Sequence, residues 1–271
     1  MEDEYFCSEG GRFTAVFDGH GGSGVSQFLK KQLYSYVQQF LKEKHWEERD
    51  ESLDKSQHKI PSVSCHVSAL RAAFDKVEQD VVEDDEYEYQ GSTAVVVFLH
   101  ESEDGHRTLL SANVGDSRAV LSRRGTAIDL SRDHKPNDEK EKARIMALGE
   151  TIEWDQDCKV HRVRNLSLAR AIGDRYAKPA VSGEVEIQHF PVVEDDDEFI
   201  VLASDGLWDV MTSQEVVTFV HQHINSQLAN VSKEDEGNYK LVLRKNMAKF
   251  LAREAIRKGS ADNVSVLMVW L

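Results

Sequence analysis

Three cysteines in 271 residues, Cys7, Cys65 and Cys158, are odd in number, far apart and contain no CxxC pair. That excludes a disulfide framework and a thiolate zinc site, and it fits a reducing compartment. No apolar run reaches the ~18 residues of a membrane-spanning helix, and no secretory leader pattern precedes the first strand. Positive charge is also short: 33 Lys and Arg stand against 48 Asp and Glu, a formal charge of −15 at pH 7. Nucleic-acid backbones and anionic membrane surfaces would repel such a chain. The Gly21-Gly22 cluster carries neither GxGxxG nor GxxxxGK[ST], so it does not read as a nucleotide loop. These shortages lead to the expectation of an intracellular monomer, cytoplasmic or nuclear, without a nucleic-acid or membrane partner.

What is present is acid at the ends of apolar runs. Phe13 to Phe17 runs into Asp18-Gly19-His20; Leu109 to Val114 runs into Gly115-Asp116; Phe199 to Ser204 runs into Asp205 and, after Gly206-Leu207-Trp208, Asp209. Asp262-Asn263 opens the last apolar run, Val264 to Leu271. A carboxylate at the tip of a buried strand cannot sink into the core unpartnered, and several brought together repel one another unless a hard cation lies between them. The pattern therefore implies a metal site of oxygen ligands.

Periodicity supplies the elements. Val25, Phe28, Leu29, Leu33, Val37, Phe40 and Leu41 mark one helix, and Leu70, Phe74, Val77 and Val81 a second. The stretch Lys42–Ser64 between them reads as a charged surface excursion. Gly91–Leu99, Arg107–Val114 and Ser117–Ser122 read as strands, the last two as a hairpin about Gly115-Asp116. Asn137 or Asp138 caps a helix ending at Gly149, and Thr212 with Glu215 forms a capping box. Gly173 to Asp197 reads as irregular, and a last helix, about Tyr239–Lys258, stops at Gly259. Strands in consecutive blocks with helices grouped between them imply antiparallel sheets covered by helices, an α+β fold. With 40% hydrophobic residues, one domain over 1–271 is expected.

The segments Met1-Glu2-Asp3, Asp18-Gly19-His20-Gly21-Gly22, Gly91-Ser92-Thr93-Ala94, Asn113 to Arg118, Asp133-His134-Lys135-Pro136, Arg170 to Asp174, Ala203 to Asp209 and Asp262 to Ser265 resemble, in order and spacing, the metal-dependent Ser/Thr protein phosphatases of the 2C type, the PPM family. The resemblance covers essentially the whole chain. It implies a four-layer α-β-β-α sandwich of two mainly antiparallel sheets, Mg²⁺ or Mn²⁺ as cofactor, and phosphorylated proteins as substrates. Asp18 would bridge two ions, with the Gly19 carbonyl and Glu2 on one and Asp205 and Asp262 on the other. Asp116 and Asp209 would help to hold a weaker third ion, and His20 would be the general acid. Oxygen-only donors suit these ions, and a paired centre would activate water for in-line attack without a covalent phosphoenzyme.

Two departures stand out. The family has a phosphate-binding arginine three residues before Met-Glu-Asp, on a strand that starts the first sheet. With Met1 first, the expectation is an N-terminally truncated domain. Near Arg170, Ala169 and Asn165 stand where the family has Ser or Thr and Gly, and the segment after Gly173 corresponds to its variable flap. Rival readings are a catalytically weak pseudophosphatase of the same fold, a metal-free interaction module, and a cysteine phosphatase. The last rests only on the Cys65–Arg71 and Cys158–Arg164 spacings, which lack the glycines of a phosphate cradle.

Overall fold

A computed structural model describes residues 1–47, 60–229 and 231–271. The chain runs β1 (Glu4–Cys7), β2 (Phe13–Phe17), β3 (Gly19–His20), α1 (Gly24–Glu47), α2 (Val63–Glu83), β4 (Gly91–Ser92), β5 (Ala94–Glu101), β6 (Arg107–Val114), β7 (Arg118–Arg123) and β8 (Thr126–Asp129). There follow α3 (Glu139–Ala147), β9 (Glu153–Asp155), β10 (Val160–Arg162), β11 (Ile172–Gly173), β12 (Glu186–Pro191), β13 (Asp197–Ala203), α4 (Asp205–Trp208), α5 (Ser213–Leu228), α6 (Glu236–Arg257) and β14 (Val266–Trp270). The five-stranded sheet has the order β1-β2-β5-β6-β12 and the four-stranded sheet β14-β13-β7-β8, while β11-β4-β3 and β10-β9 form two small sheets. Every pairing between named strands is antiparallel.

Strand alternation explains the layers, because successive side chains point to opposite faces. In β2 and β5, Phe13, Ala15, Phe17, Ala94 and Val96 face α1 and α2. Their neighbours Val16, Val95 and Val97 meet Ala119, Leu121, Ile200 and Leu202 between the sheets. Val120, Phe199, Val201 and Ala203 face Val216, Val220, Met247 and Leu251 of α5 and α6. The result is helix pair, sheet, sheet, helix pair, as the resemblance implied. A smaller core of Ile145, Val163, Leu168, Ala171, Ala180 and Val181 gathers α3 and the flap beside this body.

The expected caps at Asp138 and Thr212 are seen, and Ser62 adds one that was not expected. Ser62 accepts the Cys65 N–H at the start of α2, Asp138 accepts from Lys140 and Glu141, and Thr212 and Glu215 form a reciprocal capping box. The supposed excursion after Leu41 is shorter than expected at both ends, since α1 continues to Glu47 and α2 begins at Val63. Its middle, 48–59, lies outside the described residues.

Three expectations are corrected. β6 and β7 are not a hairpin, because β6 has both edges occupied, by β5 and β12, and the chain crosses at Gly115–Ser117 into the other sheet. The stretch Gly173–Asp197 is not wholly irregular, since β12 within it forms an edge of the first sheet. Glu4–Cys7, not read as a strand, pairs with β2 on the opposite edge.

Candidate metal centre

The strand tips meet at one end of the two sheets. Asp18 sits between β2 and β3, where its N–H donates to Thr93 Oγ1 (3.1 Å) and its carbonyl accepts from Thr93 N–H (2.9 Å). Thr93 Oγ1 is in turn 2.7 Å from Ser117 Oγ, so this hydroxyl ties Asp18 to the turn carrying Asp116. Gly19 follows because nothing larger fits: a Cβ there would lie 2.5 Å from the Glu2 carbonyl oxygen. That carbonyl also accepts the Ser26 hydroxyl at 2.5 Å, which anchors the Glu2 backbone against the start of α1. Asp205 begins α4 and Asp209 follows its end, while Asp262 is exposed and accepts the Asn263 N–H at 2.6 Å. Asp209 takes the C-cap position of α4, and the N-cap of α5 is Thr212.

The electrostatics show which carboxyls face one another. Burial, then the charges of Asp205, Asp3, Asp116 and Asp262, push the Asp18 carboxyl up to about 10. Burial with Asp116 and Asp209 raises Asp205 to about 7, against the pull of Lys135. Asp116 is raised by burial, opposed by Lys135 and reinforced by Asp133 and Asp209. Thus Asp18, Asp205, Asp262 and Asp116 are brought into one field, with Asp209 at its rim.

Two residues that no role was expected for complete the site. Asp3 is buried; burial raises its carboxyl, the Ser265, Ser204 and Asp18 side chains pull it down, and Asp262 adds to the rise. It is Asp3, beside the expected Glu2, that reaches toward Asp18. Asp174 is also buried, and its Oδ2 lies 2.7 Å from His20 Nε2. Burial disfavours a protonated His20, but the Asp174 hydrogen bond and charge, with Asp116 and Glu2 behind it, outweigh that and raise its pKa. Gly91 makes the pair possible, because a Cβ there would lie 2.2 Å from Asp174 Oδ2 and 2.5 Å from His20 Nε2. Both residues lie inside quoted motifs, so the signal was present without an assigned role.

Among the described residues no three His, Cys, Asp or Glu side chains stand close enough together to hold an ion as placed. The donor set nonetheless suits a hard divalent cation. It is all oxygen, its charges repel, and Asp3 Oδ2, Asp116 Oδ2 and Asp174 Oδ1 are buried without a hydrogen-bond partner. Cysteine chemistry has no comparable setting, since Cys65 is buried in α2 and Arg164 is bound by Glu150.

Helix pairs flanking two antiparallel sheets, with an acidic oxygen-rich end, are the class this fold defines. Comparison narrows it: the family model Protein phosphatase 2C matches residues 6–264. The chain belongs to the protein phosphatase 2C family. It is 35% identical over 272 residues to Probable protein phosphatase 2C 27 of Arabidopsis thaliana, covering 97% of this chain and 60% of that protein. It is 35% identical over 271 residues to Protein phosphatase 2C 56 of the same plant, covering 95% of this chain and 57% of that one. The chain thus spans about 60% of the length of curated relatives it matches. Among solved structures, a C. elegans sex determining protein superposes with a TM-score of 0.75 at 27% identity, over 99% of this chain and 61% of the other. A serine-threonine phosphatase 2C from Toxoplasma gondii, at 22% identity and a TM-score of 0.67 over 95% of this chain and 84% of that one, shares the fold. Among the described residues no helix is long and apolar enough to cross a membrane.

Proposed function

We propose that residues 1–271 form one domain that hydrolyses phosphoserine and phosphothreonine in proteins, with Mg²⁺ or Mn²⁺ as cofactor and water as the nucleophile. The observation that carries this is the Asp18 carboxyl, raised to about 10 among four other aspartates, beside buried oxygens that no protein donor satisfies. Asp18, Asp205 and Asp262, with the Gly19 carbonyl and Glu2, would hold two ions, and Asp116 and Asp209 would help to hold a weaker third. When bound, the ions supply a water acidic enough to attack phosphorus near neutral pH and screen the phosphate charge.

The remaining work falls to the chain. Thr93 fixes the backbone of Asp18. His20 stands two residues on, and Asp174 orients its ring and favours its protonated form. It can therefore deliver a proton to the serine or threonine oxygen as that oxygen leaves. No residue is needed as a covalent acceptor.

Turnover of a phosphothreonine peptide with Mn²⁺, with and without EDTA, tests the reading. Asp18→Ala or Asp205→Asn should lower the rate at least about a thousandfold; turnover that survives EDTA or these substitutions would remove the metal centre from the reaction. No EDTA-sensitive turnover in the parent protein would favour a binding-only role. His20→Ala should cost about a hundredfold on the peptide and little on p-nitrophenyl phosphate, whose leaving group scarcely needs a proton. Equal losses on both substrates would take His20 out of the acid role.

A further inference from the structure

Lys135 places an ammonium where the third ion is expected. Its Nζ lies 3.3 Å from Asp116 Oδ2 and 3.3 Å from Asp209 Oδ1. The Asp116 side chain is 3% exposed, and its Oδ2 has no hydrogen-bond partner, so Lys135 is its nearby counter-charge without satisfying it.

The position is built by the flanking residues. His134 N–H donates to the Gly115 carbonyl (3.0 Å) and Gly115 N–H donates to His134 Nδ1 (3.1 Å), clamping this segment to the turn that carries Asp116. On the other side Asp133 accepts two bonds from Arg118, at 2.8 and 2.6 Å. The backbone on either side of the lysine is therefore fixed, while the lysine itself keeps four rotatable carbons and a 29% exposed side chain. A fixed base with a free arm allows the ammonium to leave without unfolding the loop.

We infer that the Lys135 ammonium is a built-in counter-ion of the Asp116–Asp209 pair, and that a third divalent ion binds there only by displacing it. This rests on the metal-dependent reading above. It makes occupancy of the third position a competition between an ion in solution and a tethered one. The pocket stays neutralised at low metal concentration and is filled by metal only as that concentration rises. Removing a half-buried ion pair of this kind should strengthen the weakest ion's binding by about tenfold or more.

Mn²⁺ binding followed through the EPR signal of the free ion tests this on the parent protein, Lys135→Met and Lys135→Arg. The expected result is a weakest binding step about tenfold tighter in Lys135→Met and unchanged in Lys135→Arg, with the tighter steps alike in all three. An unchanged or weaker last step in Lys135→Met overturns the inference and leaves the two-ion reading standing. If none of the proteins takes up Mn²⁺, the metal reading itself fails and this inference with it. A second measurement needs no variant: acetylation of lysines read by mass spectrometry. Lys135 labelling should rise severalfold when Mn²⁺ saturates the last step, while Lys178, paired with Glu78 at 2.6 Å, should not change. Flat labelling of Lys135 across a completed Mn²⁺ titration overturns the inference.

Discussion

Two buried acidic centres in this protein are solved in opposite ways. Glu141, in the first turn of α3, has a side chain 1% exposed, yet its carboxyl is drawn down to about 2. Burial alone would raise it; Arg170, Arg132 and Arg144 reverse the sign, with contacts of 2.6, 3.1 and 3.0 Å. At the strand tips the partly buried Asp18 has four aspartates as neighbours and is pushed up to about 10. Where the chain needs a rigid joint, between α3 and the segment leading to Asp174, it supplies every counter-charge itself. Where it gathers Asp18, Asp205 and Asp262 it leaves charge uncompensated, and that imbalance makes the second centre a place for a cation. Lys135 stands between the two regimes, a partial internal cation at the edge of the acidic end.

The largest way to break this contrast is Glu141→Gln. Three guanidiniums would keep their places around a neutral amide, and unfolding in urea at pH 7 should show a loss of about 3–5 kcal/mol. The same residue sets a pH window. A carboxyl with its folded pKa lowered contributes stability above the unfolded value of 4.5 and loses it as pH falls toward about 2. About 3 kcal/mol should therefore disappear over that range in the parent protein and not in the variant. A Glu141→Gln protein as stable as its parent would mean that the arginines are held by packing alone.

The opposite sign is expected at the other centre. In EDTA, Asp18→Asn removes a carboxyl that the fold disfavours, and it should stabilise the protein by about 2–4 kcal/mol at pH 7. Added Mn²⁺ should then stabilise the parent protein far more than the variant. A metal-free Asp18→Asn protein less stable than its parent would show that the aspartates are not in conflict.

Much of this is legible in the sequence. Strand tips end in acid at Asp18, Asp116 and Asp205 because alternation and turn chemistry are local, and the capping box at Thr212 is local too. What escaped depends on distant pairings. A short turn after β6 reads alike whether it closes a hairpin or crosses between sheets, and β12, far downstream, occupies the edge that decides it. The roles of Asp174 and Lys135 were hidden for the same reason, since each acts on a partner, His20 or Asp116, from another part of the chain. Asp3 was overshadowed by Glu2, because a sequence does not say which of two adjacent acids points inward. Asn165 is a gentler case. It stands where the family has glycine and takes a φ of 68°, a left-handed conformation that asparagine tolerates better than most residues.

A third acid carries the contrast to its small end. Glu78 of α2 accepts the Gly173 N–H at 2.9 Å through one oxygen and meets Lys178 Nζ at 2.6 Å through the other, so it holds the flap with one backbone donor and one charge. Its side chain is 21% exposed, which leaves water able to replace a lost partner. Lys178→Met should therefore cost only about 0.5–1 kcal/mol in urea unfolding, well below Glu141→Gln, although the two ion pairs have the same separation. If the two losses came out equal, contact distance rather than the supply of counter-charge in a dry site would govern these acids, and the distinction between the two buried centres would lose its basis.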